Sequence, residues 1–126
     1  SDYMGKVFED ICKQYLWKRL LNGECPVEFS SLGRWWGNDP KEKRQAEMDI
    51  LAEQDKNTAL FGACKWTNEK VGLGVLETLV KRSKLFSYQN VHFYLFAKTG
   101  FTKGCIDRAN EMGNVTLVRY EDMVSR

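Results

Sequence analysis

Apolar side chains recur every three or four positions in three parts of the chain, which predicts three amphipathic helices. The predicted helices span residues 4–21, 73–86 and 103–112. Glycines that favour helix termination follow the first and third stretches, at Gly23 and Gly113, and Thr102 is placed to cap the third. Capping residues for the second helix are expected in the polar segment 67–70.

Alternating or continuous apolar runs, bounded by turn-forming residues, indicate five strands. The predicted strands are residues 29–36, 47–53, 58–66, 91–97 and 115–119. Polar residues 54–57 form the tight turn expected between the second strand and the third. The segment Gly37-Asn38-Asp39-Pro40 is expected to end the first strand, ahead of a short charged run at 41–44.

The predicted order of elements is helix, three strands, helix, strand, helix, strand. Consecutive strands are expected to be antiparallel neighbours, and a strand that follows a helix is expected to be parallel to its neighbour. This order predicts a mixed α/β fold with an αβββαβ core, an extra helix and strand, and a central mixed sheet flanked by helices. At 126 residues, positions 1–126 are expected to form one domain. The chain begins with Ser1-Asp2 rather than Met, so we expect it to be part of a longer protein.

Charged side chains inside the predicted strands need a chemical explanation. Because side chains alternate along a strand, Glu47, Asp49 and Leu51 are expected on one face of the second strand. Ala63 and Lys65 are expected to share one face of the third strand. A carboxylate or a lysine within an apolar strand costs free energy to bury. Mutual pairing, a metal ion or a phosphate group would each offset that cost.

Overall charge and cysteine usage narrow the classes of function. A net charge of +2 gives no whole-molecule signature of nucleic-acid binding, so any phosphate-binding face has to be local. Four scattered cysteines and one histidine do not form a zinc motif, and reduced core thiols fit a reducing compartment such as the cytoplasm. No apolar run is long enough to span a membrane.

Several charged and aromatic residues have both a structural and a functional interpretation. Glu9 lies at the margin of the apolar stripe of the first helix, where a surface acid is the simpler interpretation and an inward-facing carboxylate the functional one. The run 41–44 is favoured as a solvated loop, with a basic rim beside the second strand as the alternative. Arg34 is a candidate phosphate contact. Three tryptophans on or beside strands are expected to pack in the core, namely Trp35, Trp36 and Trp66.

Four phrases, in this order along nearly the whole chain, resemble a known group of proteins. They are Gly5-Lys6-Val7-Phe8-Glu9, Arg34-Trp35-Trp36, Glu47-Met48-Asp49-Ile50 and Gly62-Ala63-Cys64-Lys65-Trp66. A helix glutamate, a strand aspartate and a carboxylate-x-Lys position on the next strand resemble the PD-(D/E)XK nuclease superfamily. The phrases more closely resemble the nuclease-like domain at the C-terminal end of archaeal-type AAA+ ATPases, which is a domain of unknown function.

The resemblance implies a role for each matched residue. Glu9 corresponds to the helix glutamate that supports a metal ion or its water, and Asp49 to the central metal ligand. Lys65 corresponds to the lysine that positions or activates the attacking water and offsets charge on the phosphate. The implied metal is Mg²⁺ or Mn²⁺, with the backbone carbonyl of Cys64 as a further candidate ligand. The candidate DNA contacts are Arg34, Lys43 and Arg44.

One metal ligand of this pattern is absent. The carboxylate expected two residues before the lysine is replaced by Ala63, so weakened metal binding and little or no cleavage are expected. Glu47 is expected either to rescue the site or to pair with Lys65 or Arg44. Two explanations fit the alanine: an engineered inactivation of a Gly-Glu-Cys-Lys phrase, or a natural degeneration.

Three functional interpretations fit these residues. The first is a metal-dependent DNA endonuclease domain that is disabled or weakened by Ala63. The second is a non-catalytic module that binds DNA or regulates an attached AAA+ ATPase, of which this chain is then a C-terminal fragment. The third is a purely structural, buried ion pair between Asp49 and Lys65. The resemblance implies DNA and an ATPase domain as partners and no membrane, and it leaves a homodimer open.

Overall fold

The computed structural model describes residues 2–124, and its elements follow the predicted order with one addition. The added element is a short fourth helix at the end of the chain. The helices are α1 (Asp2–Leu21), α2 (Leu73–Ser83), α3 (Lys103–Met112) and α4 (Tyr120–Val124). The strands are β1 (Ser31–Asp39), β2 (Arg44–Asp55), β3 (Thr58–Lys65), β4 (Asn90–Ala97) and β5 (Val115–Arg119). The αβββαβ core with an extra helix and strand is therefore confirmed.

The five strands form one mixed sheet in the order β1-β2-β3-β4-β5. The pairs β1/β2 and β2/β3 are antiparallel, whereas β3/β4 and β4/β5 are parallel. This topology is the predicted one. It arises because short turns join β1 to β2 and β2 to β3, while a helix precedes both β4 and β5 and returns the chain to the same end of the sheet.

Helices cover both faces of the sheet and enclose two separate hydrophobic clusters. On one face, α1 contributes Phe8, Cys12 and Leu16, and Tyr120 and Met123 of α4 pack against the same cluster. On the other face, α2 and α3 contribute the buried residues Leu76, Leu79, Cys105 and Ala109. The central strands β3 and β4 supply side chains to both clusters, which fixes the two helical layers relative to the sheet.

A β-bulge interrupts the pairing of β1 with β2. Gly33 pairs with Leu51, and Trp35 pairs with Met48. Asp49 and Ile50 together therefore oppose the single residue Arg34. As a result, Met48 and Leu51 pack against the cluster under α2 and α3, whereas Ile50 belongs to the cluster under α1. The prediction that Leu51 shares a face with Glu47 and Asp49 by simple alternation is wrong, because the extra residue reverses the alternation.

The first strand lies later in the chain than its composition predicts. Phe29 is buried but precedes β1, and the strand continues through Gly37 to Asp39 instead of ending at Trp36. The Asp39 carboxylate accepts hydrogen bonds from the backbone N–H groups of Lys41 and Glu42, at 3.0 and 3.1 Å. This side chain therefore closes the turn after the strand, which explains why turn-forming residues are found inside β1.

Helix α2 begins at Leu73 as predicted but is shorter than predicted at its C-terminal end. Its N-cap is Gly72, which makes no side-chain cap bond, so the capping residues expected at 67–70 are not used. Val71 instead forms an isolated parallel bridge with Phe101. The helix ends at Ser83, three residues before the predicted limit. For α3 the prediction is confirmed: Thr102 Oγ1 accepts from Cys105 N at 3.2 Å.

Candidate functional site

Three carboxylates from two elements meet one guanidinium, and we call Glu9, Glu47 and Asp49 the acidic cluster. Arg34 Nη1 donates to Glu9 Oε1 at 2.8 Å and to Glu9 Oε2 at 2.9 Å. The same nitrogen lies 3.4 Å from Asp49 Oδ1. The second terminal nitrogen, Nη2, donates to Glu47 Oε1. Glu9 and Asp49, which the sequence places far apart, are thus brought to one point.

Two members of the acidic cluster, Glu9 and Asp49, are positioned by different features of the fold. Glu9 is carried by α1, one residue after the buried Phe8, so helix packing fixes its direction. Asp49 lies in the β-bulge directly opposite Arg34. Its second oxygen, Oδ2, accepts from the backbone N–H of Cys64 at 2.8 Å, which ties β2 to β3 at this level. The bulge therefore aims the Asp49 carboxylate between the edge strand and β3.

The electrostatics of the site are dominated by Arg34. Partial burial works to lower the pKa of the Arg34 guanidinium, but the hydrogen bonds that it donates to Glu9 and Glu47 outweigh the effect of burial. Charge attraction from Glu9 and Asp49 adds to this effect, so the pKa of Arg34 is raised above its ordinary value. The side chains of Glu9 and Asp49 are only 19% and 20% exposed. The guanidinium is consequently a permanent cation among partly desolvated acids.

A cleft of about 500 Å³ opens next to the acidic cluster. The sheet contributes Glu47, Asp49, Ala63 and Lys65 to its wall, and α2 contributes the opposite wall. Lys65 is exposed there and, among residues 2–124, forms no ion pair with a carboxylate. The interpretation of Asp49 and Lys65 as a buried ion pair is wrong, because Asp49 pairs with Arg34. Glu47 likewise pairs with Arg34 rather than with Lys65 or Arg44.

The acidic cluster, as arranged, does not fit a metal ion. Both oxygens of Glu9 accept from Arg34, and the two oxygens of Asp49 accept from Arg34 and from Cys64 N. In the described part of the chain, no three His, Cys, Asp or Glu residues are placed to share a metal. Ala63, at the position of the expected third carboxylate, adds only a methyl group to the cleft wall.

The thiol of Cys64, beside Ala63, has a raised pKa. A hydrogen bond with Cys12 is the largest cause that raises the pKa of Cys64, followed by burial and by the nearby charges of Asp49 and Glu9. The thiol is therefore protonated, and thiolate chemistry needs the deprotonated form. What Cys64 supplies to the site is its backbone N–H, which holds Asp49.

The predicted basic residues lie at the turn between β1 and β2 and at the start of β2. Lys43 is in that turn with a left-handed φ of 55°, and Arg44 is the first residue of β2 rather than part of a loop. Arg44 lines a small cavity of about 70 Å³ together with Arg82 of α2. Arg82 also lines the large cleft and donates to the Glu47 backbone carbonyl at 3.1 Å.

Arg82 is a site residue that sequence reasoning missed. Its position could have been found from helical spacing, because Val75, Leu79 and Arg82 lie on one face of α2. All three residues line the large cleft. The apolar members of this face point to the sheet, so an arginine in the same row is directed toward the sheet as well.

The three tryptophans have different environments. Trp35 packs against Phe86 with ring centroids 4.7 Å apart, and Trp66 packs against Phe8 at 4.9 Å. Trp36, by contrast, is 60% exposed on the edge strand, opposite Glu47. The prediction that Trp36 packs in the core is therefore wrong, because alternation along β1 turns its side chain away from the face that holds Trp35.

The fold and the site define a class: a mixed α/β domain with an acidic cluster, bound by an arginine, beside an open cleft that contains a lysine. Residues 1–83 match the family described as "Archaea bacterial proteins of unknown function" (DUF234). This match covers more than half of the chain, and the chain therefore belongs to that family.

Other proteins are similar to this chain in sequence or in structure. An uncharacterised protein of Methanocaldococcus jannaschii, MJECL04, is 29% identical over 97 residues. The alignment covers 75% of this chain but 21% of that protein, so the chain spans about a fifth of this relative. The crystal structure of a protein of unknown function, AF1548, has a TM-score of 0.54 and 20% identity. It matches 88% of this chain and 58% of its own, which shows a shared fold.

A second solved structure is the DNA modification-dependent restriction endonuclease AspBHI, with a TM-score of 0.47 and 21% identity. The similar region covers 94% of this chain and 29% of that enzyme.

Within residues 2–124, no helix combines the length and the apolar character needed to cross a membrane.

Proposed function

We propose that this chain is a nuclease-like domain of the PD-(D/E)XK type that binds DNA at the cleft, with a hydrolytic site left incomplete by Ala63. The observation that carries the proposal is the convergence of Glu9, from α1, and Asp49, from the bulge of β2, beside a cleft that contains Lys65. Convergent carboxylates can hold a divalent cation, and a nearby lysine can offset the negative charge that develops on a phosphate during hydrolysis.

Lys65 is the residue best placed to bind a phosphate group. Its ammonium lies at the end of β3, exposed to the cleft. With no carboxylate in ion-pair contact among residues 2–124, its charge is available to a ligand. A positive charge held at this point offsets the negative charge that develops on the phosphate during hydrolysis. Lys65 is therefore proposed to hold the scissile phosphate in the cleft.

The DNA backbone is proposed to follow the basic residues that continue from the cleft. Arg82 lines both the large cleft and the smaller cavity, and Arg44 lines the latter. Lys43 precedes Arg44 at the rim. Arginine and lysine contacts to phosphate supply most of the sequence-independent affinity for DNA. Because these residues lie on one side of the molecule, a net charge of only +2 does not oppose binding.

Mg²⁺ or Mn²⁺ is the proposed cofactor of the complete site, with Glu9, Asp49 and a carboxylate at position 63 as the ligands. The present arrangement does not fit such an ion, since Arg34 engages the oxygens and position 63 is alanine. Little or no cleavage by the chain as it stands is the consequence. A cytoplasmic location is part of the same proposal.

Restoring the missing carboxylate tests the proposal. The Ala63→Glu variant is expected to nick supercoiled plasmid DNA in Mg²⁺ or Mn²⁺, whereas the unaltered chain is not. Adding Asp49→Asn or Lys65→Met to that variant is expected to abolish nicking, which excludes a contaminating nuclease. Absence of nicking both in Ala63→Glu and in a variant that adds Arg34→Gln to it, with the fold intact by circular dichroism, would contradict the hydrolytic part of the proposal.

A non-catalytic role is the second candidate, and the arginine-bound acidic cluster favours it. In this case the domain binds DNA, or regulates an AAA+ ATPase to which it is attached, without cleaving a substrate. The alignment covers only 21% of the Methanocaldococcus jannaschii relative, so that protein is long enough to contain such a partner domain as well. Salt-dependent DNA binding without a metal requirement would support this role. Sedimentation of the free domain would at the same time show whether it forms a homodimer.

A further inference from the structure

We propose that Arg34 is an intramolecular competitor for divalent cations: its guanidinium and a metal ion exclude each other at the acidic cluster of Glu9, Glu47 and Asp49. This deepens the proposed function, because it names what controls cation entry at the same site. Its test, however, needs neither DNA nor cleavage, so the two can fail separately.

The argument begins with the oxygens that a hard cation would need. Mg²⁺ and Mn²⁺ bind carboxylate oxygens whose lone pairs are not already engaged in hydrogen bonds. Arg34 lies within 2.9 Å of both Glu9 oxygens and 3.4 Å from Asp49 Oδ1. A metal ion that contacts Glu9 and Asp49 would have to stand where this guanidinium stands. Two cations cannot share that point, because their mutual repulsion would add to the loss of the hydrogen bonds.

Charge balance explains why a cation occupies the cluster at all. The three carboxylates carry like charges in close proximity, and two of them, Glu9 and Asp49, are mostly buried. Such an arrangement is unstable without a positive partner. In the described part of the chain, Arg34 is the residue that pairs with all three. It therefore provides the positive charge that a metal ion would otherwise supply.

Arg34 is also able to leave. It lies on the edge strand β1, and its side chain is 36% exposed, so the guanidinium has a path to solvent. Its rotation needs no movement of the hydrophobic clusters, since it belongs to neither. A guanidinium released from carboxylates binds phosphate well, through paired N–H groups. Exchange of Arg34 for a metal would thus free the arginine for the phosphate contact predicted for it.

Binding of Mn²⁺ alone tests the proposal, measured through the loss of the electron paramagnetic resonance signal of the free aqua ion. The Arg34→Gln variant is expected to bind one Mn²⁺ about tenfold or more tightly than the unaltered chain. Lys81→Gln is the matched control, because it removes one positive charge from α2, where Lys81 pairs with Glu42 and not with the acidic cluster. This control is expected to bind Mn²⁺ like the unaltered chain, and Asp49→Asn is expected to abolish the gain of Arg34→Gln.

The proposal is overturned if Arg34→Gln binds Mn²⁺ no better than the unaltered chain, or if Lys81→Gln gains as much. It is also overturned if the gain survives Asp49→Asn. The Arg34→Gln variant could unfold, since its acids then lack a cation. In that event Mn²⁺ is expected to restore a cooperative melting transition, and failure to restore one counts equally against the proposal. A gain in Mn²⁺ binding by Arg34→Gln, without cleavage by a variant that carries both Ala63→Glu and Arg34→Gln, would contradict the hydrolytic proposal and leave this inference standing.

Discussion

Glu9 and Arg34 lie 25 positions apart in the chain, yet both oxygens of the glutamate accept from one arginine nitrogen, at 2.8 and 2.9 Å. This ion pair joins α1, which covers one face of the sheet, to the edge strand β1. It also fixes the carboxylate of Glu9 beside Asp49. The geometry of the acidic cluster therefore depends on this ion pair.

A double-mutant cycle between Glu9→Gln and Arg34→Gln is expected to give a coupling free energy of about 1 kcal/mol. The value is modest because the pair is partly exposed to solvent. Urea unfolding of the two single variants and the double variant measures it. Asp10→Asn is the control on the same helix, since its side chain is 72% exposed and contacts Lys13 instead. Equal coupling of Arg34 to both acids would contradict the geometry.

Substitution of the adjacent tryptophans is expected to give opposite results. Trp35→Ala is expected to lower the free energy of unfolding by about 3 kcal/mol, because its ring packs against Phe86. Trp36→Ala is expected to change it by less than about 1 kcal/mol, because the side chain is 60% exposed. Thermal or urea denaturation checks both values. A large loss with Trp36→Ala would show that this residue is packed after all.

The basic residues beside the cleft are expected to determine how DNA affinity depends on salt. Arg44→Gln and Arg82→Gln should each reduce the slope of log affinity against log salt by about 1, through the loss of one phosphate contact. Fluorescence anisotropy with labelled duplex DNA at several salt concentrations measures the slope. Lys103→Gln provides the control, because Lys103 pairs with Asp107 on α3, away from the cleft. An unchanged slope in both arginine variants would exclude this path for DNA.

His92 is expected to make stability depend on pH. Burial lowers the pKa of His92, whose Nε2 lies 2.7 Å from Thr116 Oγ1, below its ordinary value of about 6.5. The unfolded chain therefore takes up the proton at a higher pH than the folded chain does. Stability should be full above about pH 7 and should fall as pH drops through about 6.5 toward the lowered folded value.

Urea unfolding at about pH 7.5 and about pH 5.5 measures this effect. His92→Gln is expected to flatten the difference between the two values. Asp122→Asn should leave it unchanged, because a hydrogen bond from Arg119 lowers the pKa of Asp122 and moves its own effect to more acid conditions. An identical pH dependence in His92→Gln would show that other groups cause it.

Element order and strand topology could be predicted because each element has its own signal in the sequence. Thr102 and Gly113 bound α3 by local hydrogen bonding and a left-handed φ of 81°, both of which are properties of the residues themselves. The limits of β1 could not be predicted in the same way. Asp39 closes the turn by bonding to Lys41 and Glu42, so the strand extends through residues that usually end one.

The acidic cluster shows where sequence reasoning stops for a physical reason. That Glu9 and Asp49 come together followed from the resemblance, but their shared partner did not, because Arg34 depends on the bulge opposite it. Alternation along β2 does not reveal the bulge, because Met48 and Ile50 are both buried although they belong to clusters on opposite faces of the sheet. The direction of Arg82 was in principle readable from helical spacing with Val75 and Leu79.

The central claim is that Glu9, Asp49 and position 63 surround one cation site. The most direct measurement is the anomalous scattering of Mn²⁺ in crystals of a variant carrying Ala63→Glu and Arg34→Gln. The account predicts one strong peak within about 2.1–2.3 Å of carboxylate oxygens from all three positions. A peak elsewhere on the surface, or no peak while the three carboxylates remain in place, would contradict it.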